Sequence, residues 1–207
     1  MSSPIEIVAR LLHGGRGRGR SMALLQAFFD ESGTHGKQSP LVAVAGFVGT
    51  DAEWAKIEAR WVEILGLYGV RELHMTDFLA QERDFALMDT PTREDLLRGL
   101  VGTLKDSGLT AISASVDASK YEEATTEQFR VVFPKPYDLC FNEVIRSVSY
   151  WSEANGGQEV GLVFASHPGH DERSYQNWRR YSHLKTIGGL QFDHPKKSPH
   201  FSVRTCL

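Results

Sequence analysis

Cysteine is scarce in this chain of 207 residues: there are two, Cys140 and Cys206. Two cysteines make no disulfide framework, and no zinc-ligand spacing links them. Long apolar runs are missing as well, and nothing approaches the roughly 20 residues of a membrane span. The arginines near the N-terminus lack the apolar core of a secretory signal, so a cytoplasmic protein is expected. An excess of positive charge is also absent. The formal net charge is -3, so the composition does not announce a nucleic-acid partner. It leaves room for one, because a metal-dependent nuclease needs an acidic site and only a local basic patch. No P-loop, dinucleotide fingerprint or Gly-x-Ser-x-Gly elbow occurs.

What remains is ordinary globular composition, 41% hydrophobic and 24% charged, enough for one well-buried core. Residues 1–21 read as a flexible basic extension outside the fold, because Gly14 to Arg20 (GGRGRGR) has nothing to bury. An upstream start codon is the bland explanation; a phosphate-touching arm or an organelle-targeting peptide are the functional ones. Leu24 to Phe29 predicts a buried strand, Glu31 to Gly36 a turn, and Pro40 to Val48 a second strand of a hairpin. Thr50 with Glu53 fits a capping box, and Trp54, Ile57, Trp61, Ile64 and Leu65 share one helical face. Thr90–Pro91–Thr92 opens a helix whose apolar stripe is Leu96, Leu97, Leu100, Val101 and Leu104. Thr110 to Val116 reads as a strand, Tyr137 to Trp151 as a helix, and Val160 to Phe164 as a continuous apolar strand. Asp171 to Leu184 reads as a polar-faced helix, and Leu190 to Phe192 as a last strand. This alternation predicts an α/β fold with a mixed or mainly parallel sheet covered by helices.

Four places carry possible chemistry. Asp30 and Glu31 end the first strand, where open α/β sheets bind ligands. They alternate across the sheet, so only one serves a given face, and Asp30 is the choice. Glu72–Leu73–His74–Met75–Thr76–Asp77–Phe78 holds three ligand-capable residues. Glu72 and His74 share a face if the piece is extended, His74 and Asp77 if it is helical. The bland reading is a surface turn with Leu73, Met75 and Phe78 buried. His167, His170 and Asp171 follow the Val160 strand and read either as metal ligands or as a loop in which Asp171 caps the next helix. Asp193 could complete a carboxylate cluster, with Lys196 and Lys197 beside it for phosphate; the alternative is a solvated loop. Cys140, on an apolar helix, reads as core.

Phe28–Phe29–Asp30–Glu31–Ser32–Gly33, then Val42 to Phe47, then Glu72 to Phe78, together resemble the bacterial family called "domain of unknown function 3800". The resemblance covers roughly Leu24 to Ser198. It implies a ribonuclease-H-like mixed sheet flanked by helices over residues 22–198. It also implies a metal-dependent nuclease or phosphodiesterase using Mg²⁺ or Mn²⁺. Carried over residue by residue, Asp30, Glu72 and His74 would be catalytic, and Asp30, Glu31, Glu72 and Asp193 would hold metal. Nucleic acid would be the partner. Two departures stand out. The family often has an acid where this chain has Ala165. It also usually ends its core with Leu-Gln-x-Ala-Asp-Leu and a further helix. Residues 199–207 read instead as an aberrant tail, and His200 to Cys206 can be encoded so that a shifted frame gives Leu-Gln-Cys-Ala-Asp-Leu. A frameshift just before His200 is the expectation. It would remove a metal-binding Asp and a packed helix, a loss comparable with a whole stability of roughly 5–15 kcal/mol, and would leave a product that is inactive, unstable or that of a pseudogene. The competing reading is a non-catalytic module that binds nucleic acid or protein. A small-molecule hydrolase with His74 as base is a third and weaker one.

Overall fold

The computed structural model describes residues 25–32, 40–165, 174, 176, 178–181, 184 and 186–193. The basic extension, the histidines after residue 165 and the C-terminal tail lie outside the described residues.

Eight residues, Leu25–Ser32, form β1, and Leu41–Thr50 form β2. The two pair antiparallel from Leu25↔Thr50 to Ser32↔Ala43. The expected hairpin partners are therefore present, and β1 runs further than its apolar core. Glu31 and Ser32 belong to the strand, because each still has a β2 residue opposite it. Thr50 then caps α1 (Asp51–Leu67). The Glu53 backbone N–H donates to Thr50 Oγ1 at 3.3 Å, and the Thr50 N–H donates to Glu53 Oε2 at 2.7 Å. This reciprocal box satisfies donors that the first turn would otherwise leave open.

The chain continues through α2 (Met75–Ala80), a 3-10 turn at Arg83–Phe85, α3 (Thr90–Lys105) and β3 (Thr110–Asp117). Two short helices follow, α4 (Tyr121–Ala124) and α5 (Glu127–Val132), before the long α6 (Pro136–Ala154). Strands β4 (Val160–Ala165) and β5 (Ile187–Asp193) complete the sheet. Of the helix expected from Asp171, most lies outside the described residues; a 3-10 turn at Arg179–Tyr181 is described.

The sheet order is β3-β2-β1-β4-β5. β1, β4 and β5 are parallel, and β2 is antiparallel to both neighbours. This is a mixed five-stranded sheet flanked by helices, consistent with a ribonuclease-H-like arrangement. Alternation divides its apolar residues between two faces. On one, Ala27, Phe29, Leu162 and Phe164 pack against Phe141, Val144, Ile145 and Val148 of α6. On the other, Phe28, Val163 and Ala165 meet Trp54 and Ile57 of α1. A third cluster, Trp61, Ile64, Leu65, Val70, Leu73, Phe78, Phe85, Leu96 and Leu100, joins the second half of α1 to α2 and α3. The stripe expected on α3 is narrower than its sequence suggests: Leu96 and Leu100 are fully buried, while Val101 is 45% exposed. Among the described residues, no helix is long and apolar enough to cross a membrane.

Candidate functional site

Parallel pairing sets the sheet end where β1, β4 and β5 finish. Phe29 is paired with Phe164, so Asp30 comes level with Ala165, and Ala165 is paired with Asp193. Asp30 and the Asp193 backbone thus occupy the same level, two strands apart. At about 4.8 Å per strand this is a separation of about 10 Å. Asp30 is half-buried, on the face that carries Phe28 and α1. Ala165 between them is 2% exposed and packs with Trp54 and Ile57. The side chains of Glu31 and Asp193 lie outside the described residues.

Helix α1 links this sheet end to the Glu72 segment. The Trp54 indole N–H donates to the Gln26 carbonyl at 3.1 Å, and its ring meets Phe28 edge-on at 4.6 Å. Ile57, one turn on, shares a cluster with Val163 and Ala165, and Trp61 has left the sheet for the third cluster. The contacts advance along the strands. A helix of this length spans about 25 Å, close to the length of β1. It therefore returns the chain toward the end where β1 finishes.

The segment after α1 forms a cleft of about 240 Å³ lined by Arg71, Glu72, His74, Asp77, Arg83, Asp84 and Phe85. Leu73 and Phe78 are buried beneath it and fix the segment. His74 stands at the N-cap of α2, so His74 and Asp77 fall on one helical side. Their separation, Nδ1 to Oδ2, is 3.8 Å. That is too long for a hydrogen bond. Among the described residues, no hydrogen-bond partner reaches the buried His74 Nδ1. Arg83 Nη1 lies 3.3 Å from the same Asp77 oxygen. Gln81 and Arg83 both have left-handed backbones, φ 56° and 50°. Such conformations cost about 1–3 kcal/mol each, and here they turn the chain so that Arg83 faces Asp77.

Asp84 grips Arg71 on three donors: the backbone N–H at 3.0 Å, Nε at 3.3 Å and Nη2 at 3.0 Å. The side-chain hydrogen bond from Arg71 holds the Asp84 carboxyl below the usual aspartate range, and the Arg71 guanidinium is raised in turn. Both arginines of the cleft are thus committed to carboxylates. The lining adds Glu72, which is exposed, and an imidazole. This balance is acidic.

Of the residues expected from the sequence, Glu72 and His74 meet in the cleft, and Asp77 joins them. Asp30 does not line it. Among the described residues, no group of three or more His, Cys, Asp or Glu side chains is close enough to hold a metal ion. Arg71, Arg83 and Asp84 were not foreseen; Arg71 and Asp84 are 13 positions apart, and no periodic pattern joins them. Cys140 is core, fully buried with its thiol directed at the Val42 carbonyl at 3.5 Å, and burial pushes it up to about 11.

Comparison with protein-family models, with curated proteins and with solved structures returns no match.

Proposed function

We propose that this chain is built on the plan of a metal-dependent nuclease or phosphodiesterase, with its site at the sheet end where β1, β4 and β5 finish. The observation that supports this reading is the level register of Asp30, Ala165 and Asp193 across three parallel strands. Strand ends of open α/β sheets are where ligands settle. Hard carboxylate oxygens suit Mg²⁺ or Mn²⁺. Asp30 and Asp193 would hold the metal, with Glu31 and the Glu72 segment as further contributors. Two ions about 4 Å apart fit within the separation of about 10 Å between the two aspartate positions. When bound, the metal would polarise a phosphoryl oxygen and stabilise the leaving oxygen. His74, with its Nδ1 held near Asp77, is the side chain suited to pass a proton. The substrate class is nucleic acid, met in the cytoplasm.

The test is cleavage of labelled single- and double-stranded DNA and RNA with Mn²⁺ or Mg²⁺, for the chain as it stands and for Asp30→Ala. Metal-dependent cleavage that is lost in Asp30→Ala supports this reading. Cleavage that Asp30→Ala leaves intact overturns this assignment of the site.

A second reading rests on Ala165. This residue is buried and apolar at the middle of the proposed site, where the resemblance leads one to expect an acid. A module that binds nucleic acid without cutting it would retain binding in a chelator and in Asp30→Ala.

A further inference from the structure

We propose that β3 is a docking edge for a second copy of this chain, and that two copies pair β3 to β3 into one continuous ten-stranded sheet. β3 closes one side of the sheet, with β2 as its neighbour within the chain. Among the described residues, a hydrogen bond reaches its outer side only at the far end, where the Lys120 N–H donates to the Asp117 carbonyl at 3.2 Å. Edge strands usually carry a device against such pairing: a proline, a lysine, a bulge or a short length. β3 has none of these. It is eight residues long, Thr110–Asp117, and reads TAISASVD. Its pairing with β2 runs without a register shift over its whole length. On the face away from α6, Ala111, Ser113 and Ser115 are exposed and small, so a neighbouring strand meets no bulk.

Charge selects the direction and the partner. Asp117 is the one charged residue of β3. A parallel pair would set Asp117 against Asp117 at about 4.8 Å. An antiparallel pair about a two-fold axis separates the two aspartates by about 20 Å, beyond the screening length. Such an axis stands perpendicular to the sheet and keeps like faces together, so residues of one parity oppose each other. Centring it on Ala114 sets Ile112 against Val116 twice on the covered face, a favourable β-branched pair. The same centring sets Ser113 against Ser115 on the open face and Asp117 against Ala111. The surface is therefore complementary to itself, as a two-fold interface requires.

The experiment is sedimentation of the full chain over a broad concentration series, beside a Ser113→Lys/Ser115→Lys variant. The two positions are exposed, so circular dichroism should match the parent, and melting should match it at concentrations where both are monomeric. The expected result is a reversible dimer whose dissociation constant rises by about tenfold or more in the variant, as lysines face each other across the axis. A register test mixes a Ser113→Cys copy with a Ser115→Cys copy, both in a Cys206→Ser background. Directly opposed residues sit within disulfide reach, so the mixture should cross-link on oxidation faster than either copy alone. A monomer at every concentration, or a dimer indifferent to the lysines and to the cysteine pairing, overturns the proposal.

Discussion

Adding one methyl group should have opposite effects at two glycines, Gly46 and Gly102. Gly46 lies in β2 opposite Phe29. A Cβ there would land on the Phe28 carbonyl oxygen and the Phe29 ring, and 2.8 Å from the Phe28 carbonyl carbon. Two of these atoms are backbone, so they yield only if β1 and β2 separate. Overpacking costs about 1–3 kcal/mol, and one or two broken ladder bonds add about 0.5–1.5 kcal/mol each. Gly46→Ala should therefore lose about 2–5 kcal/mol. For a chain of this size that lowers Tm by about 5–20 °C. Gly102 sits inside α3, and its Cβ would meet nothing within 4 Å. Gly102→Ala should gain about 0.5–1 kcal/mol from the reduced freedom of the unfolded chain. Thermal melting followed by circular dichroism measures both. If Gly46→Ala melts with the parent, or the two variants move in the same direction, the close approach of β1 to β2 is wrong.

Further outcomes follow from the titrating groups. Asp84 is held below its ordinary value of 3.8 by Arg71. Its contribution to stability is present above that value and is lost as pH falls through the lowered one. Asp84→Asn should flatten the acid limb of a Tm-against-pH profile there and leave the neutral region nearly parallel; an unchanged acid limb counts against the Arg71 clamp. Cys140 is buried and its thiol is pushed up to about 11. Iodoacetamide at neutral pH should leave the peptide containing Cys140 unlabelled in the folded chain and label it in denaturant. Labelling of the native chain at an equal rate would refute that placement.

Legibility followed burial. Trp54, Ile57, Trp61, Ile64 and Leu65 recur at helical spacing because each is buried, and Thr50 with Glu53 marks where that helix starts. β4 was readable as a continuous apolar run because both of its faces are covered. The helices α4 and α5 escaped for the opposite reason. Tyr121 is the one buried residue of α4, and α5 has none. Without a buried face they write no period into the sequence. Val101 shows the converse error, an apolar residue at the margin of a stripe that the core does not reach. The Glu72 segment was visible as a concentration of ligand types, but its spacing left extended and helical readings open. The structure divides it: Glu72 precedes α2, His74 caps it and Asp77 lies in its first turn. The arginines that neutralise Asp77 and Asp84 were beyond sequence reasoning, because Arg83 reaches Asp77 only through left-handed backbone at Gln81 and at Arg83 itself.

The sheet end carries its own discriminating substitution, Ala165→Asp. The proposed metal site calls for an acid at this position, and the register sets it level with Asp30 and the Asp193 backbone. Ala165 is 2% exposed against Trp54 and Ile57, so a carboxylate there is desolvated and adjoins Asp30. Without metal it should destabilise the fold by several kcal/mol. Burial would raise its pKa, so the variant should regain stability as pH falls, opposite in sign to the Asp84 effect. Manganese separates the two functional readings. If this end gathers metal ligands, the added carboxylate supplies the missing one. Saturating Mn²⁺ at about 100 times its dissociation constant would then stabilise the variant by about 2.7 kcal/mol. The parent chain would shift less. An equal shift of both melting curves would place the metal away from residue 165; should Mn²⁺ move neither, the level aspartates are not a metal centre, and the binding reading takes precedence.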